Sequence, residues 1–181
     1  KPSRPTRCRV IPVLAHRRMM LPVFGGISGS NRIKSSIPVP SPDTEKSIRH
    51  AAPDARLAGR FCGLDFSSPI VLLSGCVGFG EEYTRVAGFS NRDAGAVVLK
   101  GTTLHARPGN EPHRIAETPM GMLNAIGLQN PGVDAVVNNI RPGLDFSETR
   151  FIANACGSTL EEYIEVCRRF DDSAIDAIEI N

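Results

Sequence analysis

The sequence predicts an α/β fold built on parallel strands, and two observations support this prediction. Four short runs are almost continuously apolar, as strands covered on both faces of a parallel sheet are; they span residues 70–73, 95–101, 150–157 and 174–181. Helical segments fall between these runs, and alternating strands and helices favour right-handed parallel units. Two architectures fit: an open doubly wound sheet and the first half of an eight-stranded β/α barrel.

The charge distribution divides the chain into two segments. Residues 1–50 hold ten Lys and Arg against two Asp and Glu, whereas residues 51–181 hold 11 against 17. Because residues 1–53 are rich in Pro, Ser and Arg and show no helical or strand period, they are predicted to be a disordered basic extension. A transit peptide, a nucleic-acid-binding tail, a misplaced start site or an expression remnant are alternatives, although no aromatic residues interleave with the arginines.

The composition also narrows the class of protein. The five cysteines form no C-x-x-C pair, which argues against a zinc site and a disulfide framework and favours reduced thiols in the cytoplasm. No apolar run approaches the roughly 20 residues that a membrane helix needs. Neither nucleic acid nor membrane is therefore expected as a partner.

The elements before the second strand are short. Residues 57–61 and 64–66 have the alternation of a small hairpin, and the strand at 70–73 follows it. Residues 81–87 are a weak helix candidate between the first two strands.

Two further helices precede the third and fourth strands. The first has apolar residues at i, i+3, i+4 and i+7, and Pro142-Gly143 ends it; its members are Val133, Val136, Val137 and Ile140. The second begins at a predicted capping box of Ser158 with Glu161. Its predicted apolar stripe is Leu160, Tyr163, Ile164 and Cys167.

A polar side chain stands at or near the end of each strand. These are Ser74, Lys100, Asn154 and Asn181. In both candidate folds the ligand lies at the carboxyl ends of the strands, so all four are expected to face one site.

Each of these residues also has an ordinary structural interpretation. The glycine-rich stretch SGCVGFG, residues 74–80, allows close approach to a flat or phosphorylated ligand, or simply makes a tight turn. Lys100 provides a fixed positive charge beside an anion or a reduced cofactor, or extends from the strand end into solvent. Asn154 binds a ligand or satisfies local backbone, and Cys76 is expected to be a packed small side chain rather than a nucleophile.

The stretch TPMGMLNAIGLQNPG, residues 118–132, combines apolar residues with three carboxamides: Asn124, Gln129 and Asn130. Carboxamides can read both the C=O and the N–H of an imide ring, which suits a uracil-like or flavin-like ligand. The alternative is an irregular loop whose Asn and Gln side chains cap their own backbone.

Four motifs in the sequence resemble those of a known family. SGCVGFGEEY, LKGTTLHARPGNEPHRIAETPMGMLNAIGLQNPG, ANACGSTLEEY and AIEIN resemble the catalytic subunit of class 1B dihydroorotate dehydrogenase, the NAD-dependent two-subunit type. The resemblance covers about residues 54–181. It implies the first half of a TIM-type (β/α)8 barrel that binds FMN and oxidises dihydroorotate to orotate in pyrimidine (UMP) biosynthesis.

The resemblance also assigns roles to single residues. Cofactor contacts are expected from Ser74, Lys100, Gly101, Asn154 and Asn181. Substrate contacts are expected from Lys100, Asn124, Ala125, Ile126, Gly127, Leu128 and Asn181. The lysine would stabilise negative charge on the reduced flavin, and the asparagines would align the substrate ring. Gly101 and Cys156 depart from the family, which usually has Ala or Ser at the first position and a small apolar residue at the second.

The resemblance carries expectations about the whole enzyme as well. The catalytic base is a cysteine in a loop that follows the position of Asn181, so the chain is expected to be a fragment without its base and inactive alone. A non-catalytic flavin- or pyrimidine-binding half-barrel is the alternative. The implied partners are an electron-transfer subunit carrying FAD and a 2Fe-2S cluster, with NAD as final acceptor, and a homodimer of catalytic subunits within a heterotetramer.

Overall fold

A computed structural model describes the backbone of residues 9–12 and all of residues 54–181. Nine strands occur in these ranges. They are β1 (Arg9–Pro12), β2 (Gly59–Phe61), β3 (Leu64–Phe66), β4 (Val71–Leu72), β5 (Ala96–Val98), β6 (Ile115–Thr118), β7 (Gly121–Asn124), β8 (Arg150–Ala155) and β9 (Ala177–Ile180).

Five strands form one sheet in the order β1-β9-β8-β5-β4, and every neighbouring pair is parallel. The parallel α/β class predicted from the sequence is therefore confirmed. Two antiparallel hairpins, β2–β3 and β6–β7, lie outside this sheet.

The strand β1 falls inside the segment that the sequence predicts to be disordered. Its backbone pairs in parallel with β9, with Arg9 opposite Ala177 and Pro12 opposite Ile180. Residues 1–8 and 13–53 lie outside the described residues, so the disordered extension as a whole stays a prediction.

The two faces of the sheet have different coverings because side chains alternate along each strand. One face packs on the helices, through residues such as Val97, Phe151 and Ile178. The other face is covered at one end by the β2–β3 hairpin, where Phe66 meets Ala96, Val98, Ile152 and Ala177. The hairpin covers the amino-end region, since Arg150, the first residue of β8, donates from Nε to the Asp65 carbonyl at 3.1 Å. The carboxyl ends of the strands are where the polar residues lie.

The strand predicted at residues 70–73 is shorter and less buried than expected. Only Val71 and Leu72 are in strand conformation, while Ile70 and Leu73 are 56% and 60% exposed. The reason is that β4 is an edge strand of the described sheet, with a neighbour on one side only.

The helical segments are less regular than their apolar spacing suggests. Residues 81–87 contain only a 3₁₀ turn, Tyr83–Arg85. The Val133–Ile140 pattern begins as α1 (Val133–Ala135), continues as a π turn (Val136–Ile140) and ends as a 3₁₀ turn (Arg141–Gly143).

The long helix α2 (Leu160–Asp171) shows two corrections. Its N-cap is Thr159, whose hydroxyl accepts from the Glu162 N–H at 3.3 Å, rather than Ser158. Ser158 is engaged elsewhere, because its hydroxyl accepts a 2.7 Å hydrogen bond from Arg107. The buried face is also rotated from the predicted stripe: Val166 and Phe170 are buried, whereas Leu160 and Ile164 are 69% and 48% exposed. No helix among residues 54–181 is long and apolar enough to span a membrane.

Candidate functional site

The strand β5 ends in a bulge at Lys100-Gly101. Val98 pairs with Ile152, but the next bridge joins Thr102 to Ala155, so four residue steps on one strand match three on the other. The Lys100 N–H leaves the ladder and donates to the Gly78 carbonyl at 2.8 Å, which ties the bulge to the glycine-rich segment 74–80. A one-residue bulge redirects side chains, and such bulges are common beside functional sites.

Beside this bulge, three side chains from two strands form a hydrogen-bonded cluster. Asn154, which is 1% exposed, accepts at Oδ1 from Asn181 Nδ2 at 3.1 Å and from Cys156 Sγ at 3.2 Å. The Asn181 Nδ2 also lies 3.5 Å from Cys156 Sγ. Burial raises the pKa of the Cys156 thiol, so the sulfur remains protonated and can donate to Asn154. Cys156, one of the two departures from the family pattern, is therefore part of the polar cluster.

Glu179, which is not among the residues predicted for the site, is a further member of this cluster. Its Oε1 accepts from Asn154 Nδ2 at 2.5 Å, because Asn154 and Glu179 lie opposite each other in the β8–β9 register. Burial raises the pKa of Glu179, and the Asn154 hydrogen bond acts in the opposite direction. The sequence does contain a signal for Glu179. It stands two residues before Asn181 in an apolar strand and therefore lies on the same face as Asn181.

Gly101 lies in contact with this cluster. A Cβ at Gly101 would be 3.0 Å from both Asn154 Oδ1 and Cys156 Sγ, and 2.9 Å from Leu128 Cδ1. Cys156 is larger than the small apolar residue that is usual in the family at this position, and it therefore occupies space that a side chain at position 101 would need. Both departures from the family pattern are parts of one packing arrangement.

We expect Gly101→Ala to lower the free energy of unfolding by about 1–3 kcal/mol, because a methyl group added to a close-packed site forces its neighbours to move. The double variant with Cys156→Ala removes one of the close contacts and should recover part of the loss. Thermal unfolding of both variants, with Cys156→Ala alone as control, checks this. Equal melting temperatures for Gly101→Ala and the unaltered protein would contradict it.

The segment 124–128 approaches the same cluster through Leu128. Asn110 fixes the backbone of this segment with two hydrogen bonds. Its Nδ2 donates to the Ala125 carbonyl at 2.8 Å, and its N–H donates to the Ile126 carbonyl at 3.0 Å. Gly127 and Leu128 both have positive φ, of 77° and 54°. A left-handed conformation is unfavourable for leucine, so the strain is stored at the point where this segment meets Gly101.

The three carboxamides of residues 118–132 have different roles. Asn130 is buried and structural, since its Oδ1 accepts from the N–H groups of Thr103 and Gly132. Gln129 accepts from Arg114 at 2.7 Å. Asn124 ends the exposed strand β7, and its side chain makes no hydrogen bond to another described residue.

The apolar residues of this stretch are more exposed than the sequence suggests. Met120, Met122 and Leu123 are 91%, 51% and 57% exposed, because they form the β6–β7 hairpin instead of packing on the sheet.

The strand β4 is followed by a turn at Ser74. Ser74 is half-buried and begins a turn closed by a 3.1 Å hydrogen bond from Cys76 N–H to the Leu73 carbonyl. Gly75 has φ 83°, and a Cβ there would meet nothing within 4 Å, so the turn borders open space. Cys76 is exposed rather than packed.

The site therefore offers unpaired polar groups beside a preorganised cluster. Within residues 54–181, the ammonium of half-buried Lys100 and the side chain of Asn124 make no hydrogen bond or ion pair with protein, and Asn181 Oδ1 accepts none. One cation with neutral donors and acceptors fits a planar ring that has amide-like edges and gains negative charge on reduction, as a flavin does. The open space at Gly75 and the absence of a Cβ at Gly101 are consistent with a flat group lying close to the backbone.

Comparisons with known proteins agree with this chemistry. Residues 56–181 match the family model described as dihydroorotate dehydrogenase. The chain is 50% identical over 127 residues to the dihydroorotate dehydrogenase B (NAD(+)) catalytic subunit of Anoxybacillus flavithermus, covering 70% of this chain and 40% of the relative. It is 46% identical over 127 residues to the subunit of the same name from Listeria welshimeri, covering 70% of this chain and 41% of the relative.

A solved structure shows the same fold at lower sequence similarity. The crystal structure of DHODH from Eimeria tenella in complex with ferulenol superposes with a TM-score of 0.54 at 20% identity, covering 71% of this chain and 37% of that chain. The chain spans about two fifths of the length of the curated relatives it matches.

Proposed function

This chain belongs to the dihydroorotate dehydrogenase family, and we propose that it forms the FMN- and substrate-binding half of an NAD-dependent dihydroorotate dehydrogenase catalytic subunit. In this proposal β4, β5, β8 and β9 are the first four strands of an eight-stranded barrel, with the β2–β3 hairpin covering its amino end. The role is the oxidation of dihydroorotate to orotate in pyrimidine biosynthesis. Support comes from the 46–50% identity to relatives named as the catalytic subunit of dihydroorotate dehydrogenase B (NAD(+)).

The observation that carries the proposal is the unpaired Lys100, whose chain neighbour Gly101 lies against the cluster of Asn154, Cys156 and Asn181. Bound FMN would supply the hydride acceptor for this reaction. Lys100 would hold a positive charge beside the developing negative charge and the substrate carboxylate, in a site partly shielded from water. Ser74, Gly101, Asn154 and Asn181 would hold the cofactor.

Residues 124–128 would hold the substrate. Asn124 offers an unpaired carboxamide, and Asn110 fixes the backbone of the next two residues. Such fixing orients the substrate ring before reaction and removes the entropy cost of aligning it. Asn181 would contact both cofactor and substrate.

The partners follow from the same proposal. The relatives are named as catalytic subunits, which implies a second subunit for electron transfer. We propose that this partner carries FAD and a 2Fe-2S cluster, that two catalytic subunits pair within a heterotetramer, and that the assembly acts in the cytoplasm with NAD as final acceptor.

Anaerobic mixing tests the function. The full-length protein that carries this sequence, loaded with FMN, is expected to lose its flavin absorbance on addition of dihydroorotate. Asn124→Ala should raise KM for dihydroorotate by about tenfold, since one hydrogen bond to the substrate is lost. Asn138→Ala changes an exposed carboxamide on the π turn and serves as the matched control. Absence of flavin reduction in the unaltered protein would overturn the proposal.

The 181 residues alone are expected to give no turnover. Four barrel strands leave the cofactor site incomplete, and the proposed cysteine base is outside these residues. Purified 1–181 mixed with FMN and dihydroorotate measures this directly. Turnover by this chain would contradict the expectation. Stoichiometric FMN binding without turnover would instead favour the half-barrel binding module.

A further inference from the structure

The carboxamide of Asn154 is held in one orientation by three neighbours. Its Nδ2 faces the Glu179 carboxylate at 2.5 Å, and its Oδ1 faces Asn181 Nδ2 at 3.1 Å and Cys156 Sγ at 3.2 Å. Glu179 Oε1 is the acceptor of this hydrogen bond, so the Asn154 side that faces Glu179 is the NH₂ group. The acceptor side then points toward Asn181 and Cys156.

The orientation of Asn154 determines that of Asn181. Because Asn154 places its oxygen toward Asn181, Asn181 must place its NH₂ group toward Asn154 and donate the hydrogen bond. The Asn181 backbone is fixed as well, since its N–H donates to the Ala155 carbonyl at 3.1 Å and its carbonyl accepts from the Tyr163 hydroxyl. The second Nδ2 hydrogen of Asn181 faces Cys156 Sγ at 3.5 Å, so the Asn181 Oδ1 and one Asn154 N–H remain for a ligand.

We propose that Glu179 is a positioning residue whose carboxylate sets, through Asn154, which atoms the Asn154 and Asn181 carboxamides present to the flavin. The inference rests on the proposed function, because it concerns the FMN site named there. Glu179 itself need not touch the cofactor. Its effect is transmitted by two consecutive amide groups.

Burial makes this control effective. Asn154 is 1% exposed, so water cannot replace Glu179 as the acceptor without opening the site. A buried donor without a partner is costly, and a carboxamide relieves that cost by rotating its ends. Without the carboxylate, Asn154 can exchange its oxygen and nitrogen, and Asn181 would then have to present the opposite atoms to the ligand.

Two variants of similar length separate the acceptor from the side chain's bulk. Glu179→Met keeps an unbranched side chain but has no strong acceptor, whereas Glu179→Gln keeps a carbonyl oxygen that can face Asn154. In the full-length protein, flavin-fluorescence titration should show FMN affinity about tenfold weaker or more for Glu179→Met. Glu179→Gln should remain within about threefold of the unaltered protein, because its amide can restore the hydrogen bond.

Asp176→Asn is the matched control for lost stability. Asp176 is also a partly buried carboxylate, and its Oδ2 accepts from the Phe151 N–H at 2.9 Å at the amino end of the same strand pair. It should lower the melting temperature and leave the FMN dissociation constant unchanged. Should Glu179→Met fail to fold, Glu179→Asp is measured instead; it withdraws the acceptor by one methylene and should also weaken FMN binding by severalfold.

The outcomes separate this inference from the proposed function. Equal FMN affinity for the unaltered protein and for Glu179→Met, or for Glu179→Asp in its place, overturns the role of Glu179 alone. Weakening of the same size in Asp176→Asn overturns it too, by showing a general effect of stability. Absence of FMN binding by the unaltered protein overturns the proposed function and this inference with it.

Discussion

Replacing Lys100 by methionine is expected to lower kcat/KM for dihydroorotate by at least about a hundredfold in the full-length protein, the usual cost of removing one group that stabilises developing charge. Lys100 is the only lysine in residues 54–181. It forms no ion pair with another residue in that range, so its charge is available to a ligand. The bulge at Lys100-Gly101 fixes the start of its side chain by tying the Lys100 N–H to Gly78 at 2.8 Å.

The variants around Lys100 distinguish charge from shape. Lys100→Arg keeps the positive charge but spreads it over a planar fork, so it should recover only part of the activity. Arg168→Ala removes an equal charge from the exposed side of α2, where Arg168 pairs with Glu165, and should leave kcat/KM unchanged. Steady-state kinetics with FMN occupancy measured for each variant gives the comparison. Full activity in Lys100→Met at full occupancy would refute the assigned role.

Phe151→Ala is expected to lower the free energy of unfolding by about 3–5 kcal/mol, the range for removing a large aromatic side chain from a core. Phe151 is fully buried in β8 and packs edge-to-face against Phe146 with ring centroids 5.2 Å apart. It also fills the space over Gly80, where a Cβ would lie 3.0 Å from the ring. The cavity therefore opens in the layer between sheet and helices, and few neighbours can move to close it.

A urea titration of Phe151→Ala against the unaltered protein measures the loss. Phe61→Ala is the control, because Phe61 is 59% exposed and its loss should cost less than about 1 kcal/mol. Similar losses for the two variants would show that the buried layer does not dominate stability. Since Phe151 lies on the helix side of the sheet, FMN affinity below the unfolding transition should change little.

The structure differs most from the sequence-based predictions in elements whose conformation depends on their neighbours in space. The apolar runs at residues 95–101 and 150–157 are buried strands as predicted, because their composition alone requires burial on both faces. The β6–β7 hairpin was not expected, since Met122 and Leu123 are apolar and yet exposed. The α2 stripe has the predicted period but is rotated, because the face of the helix that packs on the core carries Val166 and Phe170.

The sequence by itself determined the parallel α/β class, the family, and four polar positions at strand ends. These follow from local composition and from the period of each element, which chain neighbours dictate. Only the tertiary structure decided that Asn154 meets Glu179, that Gly101 leaves room for Cys156, and that Asn130 serves the backbone while Asn124 is left for a ligand. The physical reason is that register between β8 and β9 and the bulge after β5 bring together side chains distant in sequence, and hydrogen-bond partners are chosen only at that contact.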